Sequence, residues 1–324
     1  MRIGAAAAFV IASVSFAVHA QGDPAADYPA KPIRILVGFT PGGGPDITAR
    51  AIAQKLSELW KQQVIVENRP GAGGTIATGM VAKAAPDGHT LLSVSASHAI
   101  ATAIYSRLPY DTLRDLSGIA QTGTSKYVVV AAPSAGLGSV KELLAAAKAK
   151  PGQIYFASAG VGSGTHFAAE IFRTMTGIDV VHVPHKGIGE AIGEVMAGRI
   201  TYTVLPLQNV LNQVRSGKLV GLVVGAPERD PLLPEVPAAE EAGLPGYKPE
   251  AWYGLLTASA VPRPIVAKLN REVLRILADP ELKSRWSAIG IDPKPTSPEG
   301  FDKLVRDEVE LLTRVARAAN IKAD

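Results

Sequence analysis

The sequence predicts an α/β protein with a mainly parallel β-sheet, divided into two similar lobes that face each other across a cleft. Short runs of Val, Ile and Leu alternate with segments of helical periodicity, which is the pattern of βα units. A unit of strand, glycine-rich turn and helix occurs twice, and two such units on facing lobes would enclose a cleft. The length of 324 residues also suits two lobes better than one ordinary domain.

The N-terminal segment is predicted to be a secretory signal peptide covering residues 1–20. Arg2 provides a positive start, an apolar stretch runs from Ile3 to Val18, and Val18-His19-Ala20 has the small residues of a cleavage site. A membrane anchor is the alternative, but the stretch is shorter than the ~20 apolar residues that span a bilayer. We therefore expect an exported, periplasmic protein.

Eight strands and several helices are predicted in the rest of the chain. The strands are near-continuous runs of apolar residues, as expected for strands buried on both faces: Ile33–Phe39, Val64–Glu67, Thr90–Val94, Tyr127–Ala131, Ile154–Ala157, Val180–Pro184, Ile200–Leu205 and Leu219–Val224. Ser139 and Glu142 form a capping-box pattern at the start of one helix. Apolar stripes at helical spacing mark others: Ile52, Leu56, Leu59 and Trp60; Phe167, Ile171 and Met175; Ile265, Leu269, Val273 and Leu277; and Phe301, Leu304, Val305, Val309 and Leu312.

Two crossings of the chain between the lobes set the predicted lobe limits. The strand Tyr127–Ala131 is the first crossing, and a second is inferred near Trp252–Leu256. Lobe 1 is therefore predicted to comprise residues 28–126 and 254–324, and lobe 2 residues 127–253.

Composition and charge exclude several classes of function. The chain has no cysteine, which excludes disulfides, thiolate nucleophiles and cysteine-ligated metals. Its net charge is only +4, and its Lys and Arg residues are scattered, which argues against a nucleic-acid surface. A mild positive excess is compatible with small anionic ligands.

Three glycine-rich turns, each before a helix, form the candidate ligand site: a first turn (Thr40–Asp46), a second turn (Ser158–His166) and a third turn (Gly71–Gly74). Unpaired backbone N–H groups at a helix start stabilise an anion, and glycines let the backbone approach it closely. A single turn of this kind is more simply a tight connection between a strand and a helix. Three in one chain favour a shared anion site.

Several polar residues near these turns have two interpretations. Asp46 either complements the dipole of its helix or receives an ammonium or hydroxyl group of the ligand. His166 either caps its turn or hydrogen-bonds the ligand. Lys186 either supplies charge to the cleft or covers the surface. Ser95 and Ser97 follow a strand whose carboxyl end points toward the cleft, so both are credible contacts.

No catalytic pattern is found in the sequence. The turns lack the Lys-Ser/Thr ending of a phosphate-binding loop, and Thr165 stands where the third glycine of a dinucleotide-binding pattern should be. No serine lies in a G-x-S-x-G nucleophile elbow. His182 and His185 form a spaced pair without an evident third metal ligand. We therefore expect a binding protein that has no catalytic residues, cofactor or metal.

Many blocks of the chain, in order and at matching spacings, resemble one protein family. They are Tyr28–Arg34, Phe39–Asp46, Val66–Gly74, Ala85–Leu92, Leu108–Asp111, Tyr155–His166, His182–Gly187, Glu240–Gly243, Trp252–Gly254 and Ile321–Lys322. The resemblance is to the Bug family of periplasmic solute receptors, the binding components of tripartite tricarboxylate transporters, and it covers essentially the whole mature chain. Where family members usually carry Tyr, this chain has His89 and His185.

This resemblance implies a type II periplasmic-binding-protein fold, or Venus flytrap, with two strands crossing at the hinge. It also implies that the first and second turns clamp a ligand carboxylate and that membrane permease subunits of the transporter are the partner. A receptor feeding a signalling partner is the alternative. We expect a monomer, and we expect Trp252 and Tyr253 to pack in the core or at the hinge rather than to stack on the ligand. The predicted ligand-binding residues are Phe39, Thr40, Gly42, Gly43, Asp46, Gly73, Gly74, Ser95, Ser97, Ser158, Gly160, Gly162, Ser163, Thr165, His166 and Lys186.

Overall fold

A ten-stranded mixed sheet runs through both lobes of the computed structural model, which describes residues 23–318 and 321–323. The signal peptide predicted over residues 1–20 lies outside the described residues. The strands are β1 (Ile33–Val37), β2 (Val64–Asn68), β3 (Thr90–Ser95), β4 (Leu116–Ala131), β5 (Tyr155–Ser158), β6 (Val181–Pro184), β7 (Tyr202–Pro206), β8 (Val220–Val224), β9 (Glu250–Ala258) and β10 (Asp292–Pro293). The helices are α1 (Gly44–Trp60), α2 (Thr75–Ala82), α3 (Ser97–Ile104), α4 (Val140–Ala149), α5 (Gly164–Thr176), α6 (Ile188–Met196), α7 (Leu207–Arg215), α8 (Arg263–Ala278), α9 (Pro280–Ser287) and α10 (Pro298–Ala318).

The sheet of lobe 1 is built around β1, which pairs in parallel with β2 on one side and β3 on the other. Ile33, Ile35 and Val37 of β1 are fully buried because helices cover both faces of a parallel sheet. The one polar residue of this strand, Arg34, forms an ion pair with Glu67 of β2. Parallel strands place their carboxyl ends at one edge, and the first turn leaves β1 at that edge.

The sheet of lobe 2 repeats this arrangement around β5, which pairs in parallel with β6 and β7. Phe156 of β5 and Tyr202 of β7 are fully buried, and their ring centroids are 5.7 Å apart. Phe172 of α5 packs against the same tyrosine. The second turn leaves β5 at the carboxyl edge, so it occupies in lobe 2 the place that the first turn occupies in lobe 1.

Strand β4 joins the two half-sheets. Its residues from Leu116 to Lys126 pair with β9, whereas its residues from Tyr127 to Ala131 pair with β7 and β8. Strand β9 pairs antiparallel with both β3 and β4. The partner of β4 thus changes between Lys126 and Tyr127, where the lobe limit is predicted from the sequence.

Most predicted strands agree with the structure to within two residues at their ends, but β4 begins eleven residues before its predicted start at Tyr127. The added stretch from Leu116 has two glycines and few β-branched residues, so its strand propensity is low. Pairing with β9 along most of its length stabilises it as a strand nonetheless.

The predicted helices are present, with corrections to two stripes. Ile52 and Leu56 of α1 are fully buried, but Leu59 is 39% exposed because α1 ends one residue later. In α5, Met175 is 45% exposed and lies one residue before the end of that helix. The helix α4 begins as predicted, because Ser139 Oγ accepts the N–H of Glu142 at 3.2 Å.

Across the described ranges, each helix is too short or too polar to cross a membrane.

Candidate functional site

The starts of α1 and α5, one from each lobe, meet at a single inner chamber of about 50 Å³ between the lobes. The hinge strands β4 and β9 close its floor. Its lining residues are Phe39, Thr40, Gly43, Gly44, Pro45, Ser95, Ala96, Tyr127, Ala159, Ser163, Gly164, Thr165, Ile188, Pro206, Ala251, Trp252 and Tyr253. The polar side chains among these are hydroxyls, and no charged side chain of the described residues lines this chamber.

Backbone donors are left free at both helix starts. The N–H groups of Gly43, Gly44, Gly164 and Thr165 make no hydrogen bond within residues 23–318 and 321–323. Aligned peptide dipoles place roughly half a positive charge at each of these ends. Two such ends at one chamber provide a site for an anion that needs no cationic side chain.

Asp46 holds the first turn in shape. Its carboxylate accepts the N–H of Gly42 at 3.0 Å, the Arg50 guanidinium at 2.9 Å and the Asn68 amide at 2.9 Å. Asn68 also donates to the carbonyl oxygen of Phe39 at 3.0 Å. Burial opposes ionisation of Asp46, but the hydrogen bonds from Arg50, Gly42 and Asn68 lower its pKa overall. The hydrogen bonds to the buried Asp46 carboxylate thus all come from residues of lobe 1.

His166 holds the second turn in the same way. Its Nδ1 accepts the N–H of Gly162 at 3.4 Å, four residues back, as Asp46 accepts that of Gly42. Gly42 and Gly162 both have positive φ, of 91° and 77°, which a residue with a side chain rarely adopts. Ser163 caps α5 by accepting the N–H of His166 at 3.2 Å. The two turns are therefore structural counterparts built from different side chains.

A stack of rings supports the second turn from behind. His166 lies on His182 with ring centroids 4.0 Å apart, and His182 lies on Phe156 at 4.8 Å. Ser158 Oγ is 2.6 Å from His182 Nε2 and accepts the N–H of Gly160 at 3.1 Å. Burial, helped by the Arg173 charge, lowers the pKa of His166 to about 4. Burial and the neighbouring histidines lower the pKa of His182 to about 3. Both rings are neutral at pH 7.

Glycine at each helix start lets a hinge tyrosine come close. A Cβ at Gly44 would lie 2.1 Å from the Tyr253 ring, and one at Gly164 would lie 2.8 Å from the Tyr127 hydroxyl. Tyr253 lies on β9 and Tyr127 on β4. Each helix start therefore packs directly against a strand that joins the lobes.

An outer chamber of about 430 Å³ adjoins the inner one and shares Phe39, Thr40 and Ala159 with it. Its other lining residues are Gly38, Pro70, Gly71, Ala72, Gly73, Tyr105, Gly160, Val161, His185 and Lys186. The third turn thus forms one wall of the outer chamber rather than a third anion site in the inner one.

The structure divides the predicted site residues into three groups. Those at the inner chamber are Phe39, Thr40, Gly43, Ser95, Ser163 and Thr165. Those at the outer chamber are Phe39, Thr40, Gly73, Gly160 and Lys186. Those that line neither chamber are Gly42, Asp46, Gly74, Ser97, Ser158, Gly162 and His166. Most of the third group is buried, and its Asp46, Ser158 and His166 side chains hydrogen-bond the backbone of the turns.

Sequence reasoning missed most of the apolar wall of the inner chamber. Trp252 and Tyr253, interpreted from the sequence as core or hinge packing, are buried and also line the chamber, together with Tyr127 and Ile188. In a sequence, an apolar strand residue that lines a chamber looks the same as one that packs in the core. Asn68 was also missed, although it is the last residue of β2, at the carboxyl edge where polar residues are informative.

Within residues 23–318 and 321–323, no group of three His, Asp or Glu side chains is arranged to hold a metal ion. His182 is engaged with Ser158, and His185 Nδ1 lies 3.8 Å from Glu190.

Comparison with known proteins identifies the family. The model of the tripartite tricarboxylate transporter family receptor matches residues 48–321. The chain belongs to this receptor family. BugT of Bordetella pertussis is 32% identical over 323 residues, which are 99% of this chain and 98% of BugT.

Two solved structures share this fold. Rpa4515 of R. palustris, determined with adipate, is 30% identical with a TM-score of 0.87, and the match covers 91% of this chain and 99% of that one. MatC from Rhodopseudomonas palustris, determined with bound malate, is 32% identical with a TM-score of 0.84, covering 89% and 99%. The family and the two-lobe binding-protein fold predicted from the sequence are thereby confirmed.

Proposed function

We propose that this receptor captures a small carboxylate between its lobes and delivers it to the permease of a tripartite tricarboxylate-type transporter. One observation carries the proposal: the free N–H groups of Gly43, Gly44, Gly164 and Thr165 face one chamber from two lobes. Hydroxyls of Ser95 and the other lining residues supply further donors. Rpa4515 and MatC, determined with adipate and malate, support a carboxylate as the ligand class.

Closure of the lobes follows because each lobe supplies only one of the two sets of N–H donors. A carboxylate bound to the open form reaches the N–H groups of one lobe only, and both sets are engaged when the lobes meet. A ligand shifts a conformational equilibrium only by contacts that differ between the two states. The second set of donors provides that difference, so ligand binding favours the closed form that a permease recognises.

The ligand leaves chemically unchanged. The Ser158–His182 pair is the one arrangement near the turns that resembles a nucleophile and its base. Ser158 is fully buried, and its Oγ already accepts the N–H of Gly160. A substrate in either chamber does not reach this oxygen, so the pair supports the turn and performs no catalysis.

We further propose that the protein acts as a monomer in the periplasm. One chain supplies both helix starts and both hinge strands, so the chamber is complete without a second copy. Export by the predicted signal peptide places the receptor beside the transporter it serves. No cofactor enters this proposal, since hydrogen bonding to backbone amides needs none.

Replacing Gly43 by valine tests the proposal. Gly43 has an extended backbone with φ of −75°, and a Cβ there would meet its nearest atoms at 3.9 Å and 4.0 Å. The protein should therefore fold, while the added branches shield the N–H groups of the chamber. We expect titration calorimetry with a panel of mono- and dicarboxylates to show binding to the natural protein and at least about tenfold weaker binding to Gly43→Val.

Gly193→Val is the matched control, because a Cβ at Gly193 of α6 meets nothing within 4 Å. This variant should bind as the natural protein does. Equal affinity of Gly43→Val and Gly193→Val would remove the first turn from the site. A folded natural protein that binds no carboxylate of the panel, and releases none on denaturation in a mass spectrometer, would contradict the function itself.

A further inference from the structure

The inner chamber is too small for most whole ligands. Its volume is about 50 Å³, and one water molecule needs roughly 10–15 Å³ measured in this way. It therefore accommodates a carboxylate group and one or two further atoms. A larger ligand must extend past Phe39 and Ala159, which both chambers share, into the outer chamber.

The two chambers differ in charge. Of the described residues that line either one, Lys186 is the single Lys or Arg, and it lies in the outer chamber. No carboxylate side chain lines the outer chamber. The Glu190 carboxylate accepts the backbone N–H of Lys186 at 3.0 Å. The Lys186 ammonium forms no ion pair or hydrogen bond with any described side chain.

A second polar group beside Lys186 is also without a partner. The Nε2 atom of His185 is buried and makes no hydrogen bond in the described part of the chain. The segment is held firmly between the lobes: a Cβ at Gly160 would lie 2.9 Å from the His185 carbonyl oxygen, and one at Gly187 would lie 2.0 Å from Thr40 Oγ1. His185 and Lys186 are thus placed against the first and second turns.

We infer that Lys186, with His185 beside it, recognises a second anionic group, so that this receptor selects an extended dicarboxylate over a monocarboxylate. This inference rests on the proposed function, which places the first carboxylate at the two helix starts. The apolar spacer of the ligand then passes Phe39 and Ala159. A monocarboxylate of the same length leaves the ammonium without a partner.

Matched ligand pairs test this selection. Adipate and hexanoate have chains of the same length and differ by one carboxylate, as do malate and 2-hydroxybutyrate. We expect calorimetry to show that the natural protein binds the dicarboxylate of a pair more tightly. In Lys186→Gln, dicarboxylate affinity should fall about fivefold, the upper range for a partly exposed ion pair, while monocarboxylate affinity changes less than about twofold.

Lys148→Gln is the control for net charge, since Lys148 is an exposed residue of α4 that lines neither chamber. It should leave both affinities unchanged. Raising the salt concentration should weaken adipate binding more steeply in the natural protein than in Lys186→Gln.

Two results would overturn the inference while leaving the carboxylate receptor intact: monocarboxylates that bind as tightly as their dicarboxylate partners, or a dicarboxylate preference that survives in Lys186→Gln. Absence of binding by every carboxylate to the folded natural protein would instead contradict the proposed function, and the inference with it. Thermal unfolding of each variant shows that it is folded.

Discussion

The first and second turns share one backbone geometry, which two different side chains hold in place. Asp46 and His166 each accept an N–H from the glycine four residues before them. The carboxylate is neutralised by Arg50, whereas the imidazole must stay uncharged to keep a lone pair on Nδ1. At this scale the second turn is therefore sensitive to mild acid and the first is not.

Acidification is predicted to destabilise the protein through this histidine. Burial lowers the pKa of His166 from 6.5 to about 4. Between these values the unfolded chain binds a proton that the folded protein does not. The free energy of unfolding is thus at its full value above pH 6.5 and falls as the pH drops toward 4, by up to about 1.4 kcal/mol per pH unit for each such histidine.

Urea unfolding of the natural protein and of His166→Asn between pH 7 and pH 5 measures this effect. Asparagine retains an oxygen acceptor for the N–H of Gly162 but does not titrate. The slope of the free energy of unfolding against pH should therefore decrease by up to about 1.4 kcal/mol per pH unit, which corresponds to one bound proton. His98 and His182, whose pKa values burial lowers to about 4 and about 3, remain in the variant and maintain the rest of the slope. Identical slopes in both proteins would show that His166 is not responsible.

At the scale of elements, the start of α7 links lobe 2 to lobe 1. Asn209 Nδ2 donates to the carbonyl oxygen of Gly42 in the first turn at 2.8 Å. Gln208 Nε2 donates to the hydroxyl of Tyr253 on β9 at 2.6 Å. The Asn209 bond crosses the cleft to the first turn, so it exists only while the lobes are together, whereas the Gln208 bond fixes α7 to the hinge strand β9. The helix α7 therefore stabilises the closed arrangement without touching the ligand.

Removing the cross-cleft bond is expected to speed ligand release. A net hydrogen bond contributes roughly 0.5–1.5 kcal/mol, so Asn209→Ala should weaken carboxylate affinity about two- to tenfold. The change should appear mainly in the dissociation rate, measured by stopped-flow fluorescence, because encounter with the open form is unaffected.

Asn212→Ala serves as the matched control, since Asn212 is an exposed residue of the same helix. It should leave the dissociation rate unchanged. An Asn209→Ala variant with unaltered release would mean that α7 does not stabilise the closed form.

At the scale of the whole molecule, neither lobe contains a complete site. The inner chamber takes α1 from lobe 1, α5 from lobe 2 and its floor from β4 and β9. One buried core extends through both lobes, from Ile33 of β1 to Phe156 of β5, and β4 and β9 bring Tyr127 and Tyr253 to the chamber between them. A ligand that fits between them couples the two halves.

Hydrogen exchange measured by mass spectrometry is predicted to detect this coupling. Adding a saturating carboxylate should slow exchange in peptides that cover both the first turn, 40–46, and the second turn, 158–166. Peptides from α9, which lies away from both chambers, should exchange at the same rate as before. Protection confined to one turn would contradict a ligand shared by the two lobes.

Much of this architecture follows from local sequence. Apolar runs such as Ile33–Val37 are buried whichever strands they pair with. A glycine at a helix start indicates that another group packs closely against the backbone there, whichever residue provides that group. Repetition of the strand-turn-helix unit further predicted two facing lobes. These features depend on residues near each other in the chain, so a single sequence contains the necessary information.

Other features depend on residues far apart in the chain, and only folding brings these together. The stretch from Leu116 became a strand because β9, more than 120 residues later, pairs with it. Tyr127 and Tyr253 became chamber walls because glycines of two distant helix starts admit them. Only the hydrogen bonds of Asp46 and His166 show that these side chains hold the turns in shape and do not line the chamber. Side-chain direction and long-range pairing are set by packing, which local propensity does not encode.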